Sequence, residues 1–291
     1  MNKSNFFLKI PTIYFPLTAN PIGYHHLLLA ENILWNVPET KLIVFLVSNG
    51  FHPDPFKREQ ILESISRLDV IEGAIKDWAN PEKSIPAKLA LQSGIVFKLQ
   101  KNNSAISRSE LSFHRPIHLF ENIKLISKSE KAQILVGADL IKRMLNPEIF
   151  SDQELKIISE ESQLQIVPRN KIEIETILKR LKHERNVTIS FRLIKCNMFP
   201  KNLRKYFFLS STIIRKAIQA EHDLKNFLPY TAEKKIIQKS FYFRKNISIS
   251  DISLKFNELN LCCYELMCQL EDSAKILLKL LDEFKNNNKP H

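Results

Sequence analysis

Apolar residues along the chain fall into two patterns, short unbroken runs and longer stretches that repeat every three or four positions, and the two alternate. Ile13–Phe15 is a short run that predicts a buried first strand. Leu27, Ala30, Leu34 and Val37 recur at helical spacing, which predicts a helix with one side against a sheet, and Pro38 ends it. KLIVFLV (Lys41–Val47) is a nearly continuous β-branched and apolar run, as expected of a strand buried on both faces. Strand, helix and strand in this order make a βαβ unit with a right-handed crossover. Between the first strand and the helix lies a Pro/Asn/Gly turn that leads to two adjacent histidines, His25 and His26. A turn of this kind is where α/β proteins build anion sites, because the first amides of the helix have no acceptor within it and its positive dipole end faces the loop.

SNGFHPDPFKR follows as a loop, and from Glu59 to about Lys131 the pattern is less regular. ILESISRLDVIEGAIKDWA predicts a helix, GIVFKLQ a strand and KNNSAISRSELS a surface loop, after which HRPIHLFENIKLI resumes apolar content. QILVGADLIKRM (Gln133–Met144) predicts strand, glycine turn and helix, and QLQIVPRN (Gln163–Asn170) a short buried strand ending in a basic loop. A charged helix from about Ile172 to His183 leads into the β-rich run VTISFRLI. Ser210, Ser211 and Thr212 open a further helix in FFLSSTIIRKAIQ, and another short one follows Pro229. Alternation of this kind predicts an α/β fold with a doubly wound, mostly parallel, Rossmann-like sheet over 1–245. Residues 246–291 predict a C-terminal helical extension, either a packing appendage or a surface for homo-oligomerisation.

Composition narrows the class. Hydrophobic residues make up 44% and charged residues 25% of the 291, as in an ordinary globular protein. No uncharged apolar run approaches the ~18 residues of a membrane helix. Lys9 and Pro11 break the N-terminal apolar patch, so a cytoplasmic protein without a signal peptide is expected. The four cysteines form no CxxC pair and are expected to be reduced. His114 and His118 have a helical metal spacing, but Pro116 lies between them and no third ligand is evident, so no metal site is expected. With 43 Lys+Arg against 31 Asp+Glu, the net charge of +12 suits a phosphate-rich partner, either a nucleotide or a nucleic acid. No RNA- or DNA-reading motif accompanies the charge, so a nucleotide is the expected partner. Only 5 glycines occur, and two of them, Gly23 and Gly137, lie just after predicted strands.

LTANPIGYHHLLLAE resembles the opening motif of the nicotinate and nicotinamide mononucleotide adenylyltransferase family, a strand, a Gly-Thr/Ser-Phe-Asp/Asn-Pro-x-His-x-Gly-His turn and a helix, with Thr18, Asn20, Pro21 and His26 matching. Three later stretches are similar in the right order: a proline-rich loop with Lys57, VGADLIKRM with Gly137 and Asp139, and LSSTIIRKAI followed by Leu228-Pro229, in which Ser210, Ser211, Thr212, Ile214 and Arg215 match. The resemblance covers roughly 10–242, with 59–131 poorly matched. It departs from the family at Leu17, Ala19 and His25, at Gly23, which replaces the first motif histidine, and in lacking the family's pyridine-binding segment.

The resemblance implies an enzyme of NAD biosynthesis that joins AMP from ATP to nicotinate or nicotinamide mononucleotide and releases pyrophosphate. It implies catalytic roles for His26, which would hydrogen-bond the reacting phosphate, and Lys57, which would neutralise charge. Thr18 and Asn20 would bind nucleotide with the turn, Gly137 and Asp139 would lie on the ribose side, and Ser210, Ser211, Thr212 and Arg215 would face the β- and γ-phosphates. Mg²⁺ would bridge phosphate oxygens. A nucleotide-binding protein of the same fold without the reaction, and a nucleotidyltransferase with another phosphorylated acceptor or with CTP, are the alternatives. His25 is expected at the surface or behind the site, and Trp35 and Trp78 in packing.

Overall fold

The computed structural model describes residues 10–48, 61–108, 117–127, 131–167, 171–195 and 198–242. Strand β1 (Thr12–Leu17) pairs in parallel with β2 (Leu42–Val47) from Thr12↔Leu42 to Leu17↔Val47, and on its other edge with β4 (Ala132–Gly137). β2 in turn pairs with β3 (Ser104–Arg108), β4 with β5 (Ser162–Val167), and β5 with β6 (Phe191–Leu193), all in parallel. The resulting sheet has the order β3-β2-β1-β4-β5-β6. This is the doubly wound α/β arrangement, and the order reverses between β1 and β4. Connections leave those two strands in opposite directions, so a crevice opens at their carboxyl ends.

The helices are α1 (Tyr24–Asn36), α2 (Ser64–Asp77), α3 (Ile85–Gln92), α4 (Ile117–Ser127), α5 (Ala138–Arg143), α6 (Asp152–Glu161), α7 (Lys171–Arg185), α8 (Lys201–Arg204), α9 (Ser211–Gln219) and α10 (Tyr230–Gln238). One face of the sheet presents Tyr14, Val44, Leu46, Ile134, Val136, Leu164 and Ile166 to a core completed by α4 to α7. Side chains alternate along a strand, so Ile13, Phe15 and Leu17 face the other way. There Phe15 packs 5.7 Å from Phe45 and 6.3 Å from His26, which joins the sheet to the start of α1. No described helix is long and apolar enough to cross a membrane. The chain divides into two compact units, Met1–Arg215 with Asp223–Tyr242 and Lys216–His222 with Phe243–His291. The first holds the whole sheet; of the second only 216–222 are described, so the C-terminal extension read over 246–291 lies outside the described residues.

Two expectations in the irregular stretch are corrected. GIVFKLQ forms no strand, because the amides of Lys98 and Leu99 donate to the Glu31 carboxylate of α1 at 2.6 and 2.8 Å instead of to a neighbouring strand. The same carboxylate accepts from the indoles of Trp35 (2.8 Å) and Trp78 (3.1 Å), so both tryptophans pack around one buried acid. The polar stretch read as a surface loop instead supplies β3, an edge strand, whose SAISR sequence lacks the apolar run of the central strands. In VTISFRLI the strand is short, Phe191–Leu193, with Ser190 O and the Ile194 amide bonding β5 on either side of it.

Candidate functional site

The turn between β1 and α1, residues 18–23, sits at the carboxyl end of β1, beside the switch in strand order. Ala19 in this turn has a left-handed backbone (φ 46°), a conformation that costs an alanine about 1 kcal/mol. The carbonyls on either side of it are held from outside. Arg67 of α2, 1% exposed, donates from Nη1 to Thr18 O, from Nη2 to Ser48 O (2.6 Å) and from Nε to Leu62 O (2.8 Å). One guanidinium thus ties together the chain leaving β1 and the chain leaving β2. On the other side, Arg215 of α9 donates from Nη1 to Asn20 O at 2.5 Å, and Ser211 Oγ donates to Pro21 O at 2.8 Å.

Asn20 is the hub. It is buried, and its Oδ1 accepts from the Leu62 amide (3.1 Å) and the Tyr242 hydroxyl (2.9 Å) while its backbone carbonyl takes Arg215. Burial raises the Tyr242 phenol's pKa, with the charges of Arg67 and Arg215 opposing the shift. Burial also lowers the Arg215 guanidinium from its ordinary value. Two buried guanidiniums beside a turn at the strand ends give the crevice a positive field, which favours a polyanion.

His26 lies in the first turn of α1. Its Nδ1 accepts the Gly23 amide at 3.2 Å. Burial pushes its pKa down to about 3, so the ring is neutral at physiological pH. A neutral imidazole whose Nδ1 accepts must carry its proton on Nε2. His26 therefore presents a fixed N–H donor rather than a base. His25, expected at the surface or behind the site, is buried, with its ring centroid 3.8 Å from that of His26.

Gly23, the N-cap of α1, has an extended backbone (φ −143°, ψ 177°) that any residue adopts. Space is what requires glycine here. A Cβ at position 23 would overlap Ile214 Cδ1 and lie 3.0 and 3.1 Å from Nδ1 and Cε1 of His25. The room where the resembled motif carries its first histidine is filled from the opposite side by a fully buried isoleucine of α9.

The predicted helix start at 210–212 is present. Ser210 caps α9, its Oγ accepting the Ile213 amide at 3.3 Å, and Thr212 Oγ1 accepts from Arg215 Nη2 at 3.3 Å. The amides of Ser211 and Thr212, first in the helix, have no acceptor inside it. The Ser211 hydroxyl and one Arg215 N–H are spent on the turn's carbonyls, so these residues join the two elements. Gly137 ends β4 and caps α5 with an extended backbone and open space at its Cβ position, leaving the edge of the crevice uncrowded. Asp139 follows on α5; its side chain and the whole of Lys57 lie outside the described residues. Neither Arg67 nor Tyr242 was singled out from sequence. A lone arginine in an amphipathic helix and a tyrosine after the last predicted helix carry no local signal; only the turn they hold gives them a role. A cleft of about 590 Å³ opens elsewhere, between residues 81–92 and 225–233 with Tyr24 in its wall, and none of the predicted site residues lines it.

No known family profile matches the chain, and no curated protein matches it in sequence. Among solved structures it is similar to nicotinic acid mononucleotide adenylyltransferase of Plasmodium falciparum in two complexes. With NaAD the identity is 17% and the TM-score 0.55; with APC they are 18% and 0.54. Each comparison covers 81% of this chain and 98% of the other. At that identity the likeness is one of fold, the parallel α/β sheet described above.

Proposed function

We propose that the protein is an ATP-dependent nucleotidyltransferase that joins AMP to nicotinate or nicotinamide mononucleotide and releases pyrophosphate. The observation that carries this reading is the bonding of the α9 start to the β1–α1 turn at the sheet's switch point, with the neutral His26 in the same turn. An oxygen of the acceptor's phosphate attacks the α-phosphorus of ATP; the new P–O bond forms as the bond to the β-phosphate oxygen breaks, and pyrophosphate carries away the electron pair. Such a transfer needs positioning and charge neutralisation more than covalent help. His26 Nε2–H donates to a non-bridging α-phosphate oxygen, and the amides of Ser211 and Thr212 face the β- and γ-phosphates. Lys57 adds charge, Thr18 and Asn20 belong to the turn that carries His26, and Gly137 and Asp139 lie on the ribose side. Mg²⁺ enters with the substrate as MgATP, bridging phosphate oxygens.

The test is pyrophosphate release from MgATP with each mononucleotide. Turnover that falls on the order of a hundredfold in His26→Ala supports the reading, and no turnover with either acceptor refutes it. A second reading, nucleotide binding without transfer, is favoured by Ile214 filling the space beside Gly23. It predicts saturable MgATP binding by a protein that releases no pyrophosphate with any phosphorylated acceptor.

A further inference from the structure

The contact between Gly23 and Ile214 does more than fill space. We propose that this pair is a fitted seat that sets how closely α9 approaches the β1–α1 turn, so that both are positioning residues for the phosphate chain held between the two elements. The proposal rests on the nucleotide-binding reading above.

Three contacts lock α9 to the turn, and they follow one another in register. Ser211 Oγ reaches Pro21 O, Arg215 Nη1 reaches Asn20 O, and Ile214, on the same side of the helix, rests where a side chain at 23 would be. The two hydrogen bonds are 2.8 and 2.5 Å long, so neither has slack. A methyl group at position 23 would have to displace the terminal methyl of Ile214, a fully buried side chain, and so strain the packing of α9 on the turn. Gly23 is also the residue whose amide fixes His26 Nδ1. One backbone unit thus orients the imidazole by its N–H and admits the facing helix by its missing Cβ. The separation between the His26 Nε2–H donor and the first amides of α9 is therefore set by this contact together with the two hydrogen bonds. Neighbouring side chains do not relieve it: His25 closes the other side at 3.0 Å, and Ile214 has no exposed surface.

The atom that collides is Cδ1, and that identifies the experiment. Ile214→Val removes that methyl alone, and Gly23→Ala adds one methyl on the other side of the contact. The two single variants and the double variant are compared with the wild type by thermal melting and by MgATP titration, the wild-type titration being read first. Gly23→Ala is expected to lower the melting temperature and to weaken MgATP binding on the order of tenfold to a hundredfold, the cost of a displaced phosphate-binding element. Ile214→Val alone is expected to weaken binding less than Gly23→Ala, because the two hydrogen bonds between α9 and the turn remain. The double variant recovers most of both losses, because the methyl has been moved across the contact.

If affinity losses add while melting temperatures couple, the pair is packing alone and the positioning role is refuted. Additivity in both refutes the fitted contact itself. A wild-type protein that binds no MgATP overturns the functional reading, and the positioning role falls with it; that outcome is distinguished because it appears before any substitution is made.

Discussion

The neutrality of His26 leads to a prediction that needs no substrate. Burial takes the folded ring from the ordinary 6.5 to about 3, whereas in the unfolded chain it titrates at its ordinary value. Between those values the unfolded state binds a proton that the folded state refuses. Stability therefore falls as the pH drops below 6.5, and the loss deepens toward 3; above 6.5 this residue contributes no pH dependence. Each pH unit in the window is worth about 1.4 kcal/mol. Between pH 7 and pH 5 the loss is about 2 kcal/mol at most, and nearer 1 kcal/mol if the half-buried ring gains some hydration on protonation. Other groups also titrate in this range, so the quantity to read is a difference. His26→Asn keeps an acceptor near the position of Nδ1 for the Gly23 amide but does not ionise. Urea unfolding of wild type and variant at pH 7, 6 and 5 should show the wild type losing ground to His26→Asn by this amount. A difference that stays flat across the three pH values would refute the buried, neutral imidazole, and with it the Nε2–H donor assigned to the site.

Arg67→Met leaves the carbonyls of Thr18, Ser48 and Leu62 without their guanidinium and should cost about 3 kcal/mol in urea unfolding. Arg67→Lys, with one ammonium for three acceptors, should recover only part of it. Glu31→Gln replaces one of two carboxylate oxygens with a donor that faces other donors, and should cost about 2–4 kcal/mol. Because the protein's 2 tryptophans both bond Glu31, their emission should shift in this variant before unfolding begins; unchanged emission would argue against the shared acid.

The central strands were legible because burial on both faces demands unbroken apolar runs such as LIVFLV, and little else gives that pattern. The edge was not. β3 needs only one partner and tolerates serine and arginine, so SAISR looks like a loop, while GIVFKLQ has the apolar content of a strand and spends two amides on a side chain from α1. Of the candidate site, the sequence offers residue types at set positions, Asn20, His26 and Ser210 to Arg215, which the fold brings together, but not their connectivity. The sequence cannot show that the Ser211 hydroxyl and an Arg215 N–H serve the turn's own carbonyls, or that Arg67 and Tyr242 complete the arrangement. Those facts depend on contacts between residues far apart in the chain. Gly23 is the plainest case: its identity was visible, but the reason for it lies in Ile214.

The hub at Asn20 also constrains the order of assembly. Its backbone carbonyl meets Arg215 across 195 residues and its side chain meets Tyr242 across 222. The neighbouring strands β1 and β2 are joined by the single helical crossover of α1, but the partners of the last two bonds to the turn between β1 and α1 come after all six strands in the chain. Contacts that close such long loops form late and set the pace of folding. A chain that ends before Arg215 carries all six strands of the sheet but neither of the two residues that bond Asn20 from the C-terminal side. The turn at the switch point is thus the part of the domain whose completion depends on the most distant stretches of its own chain.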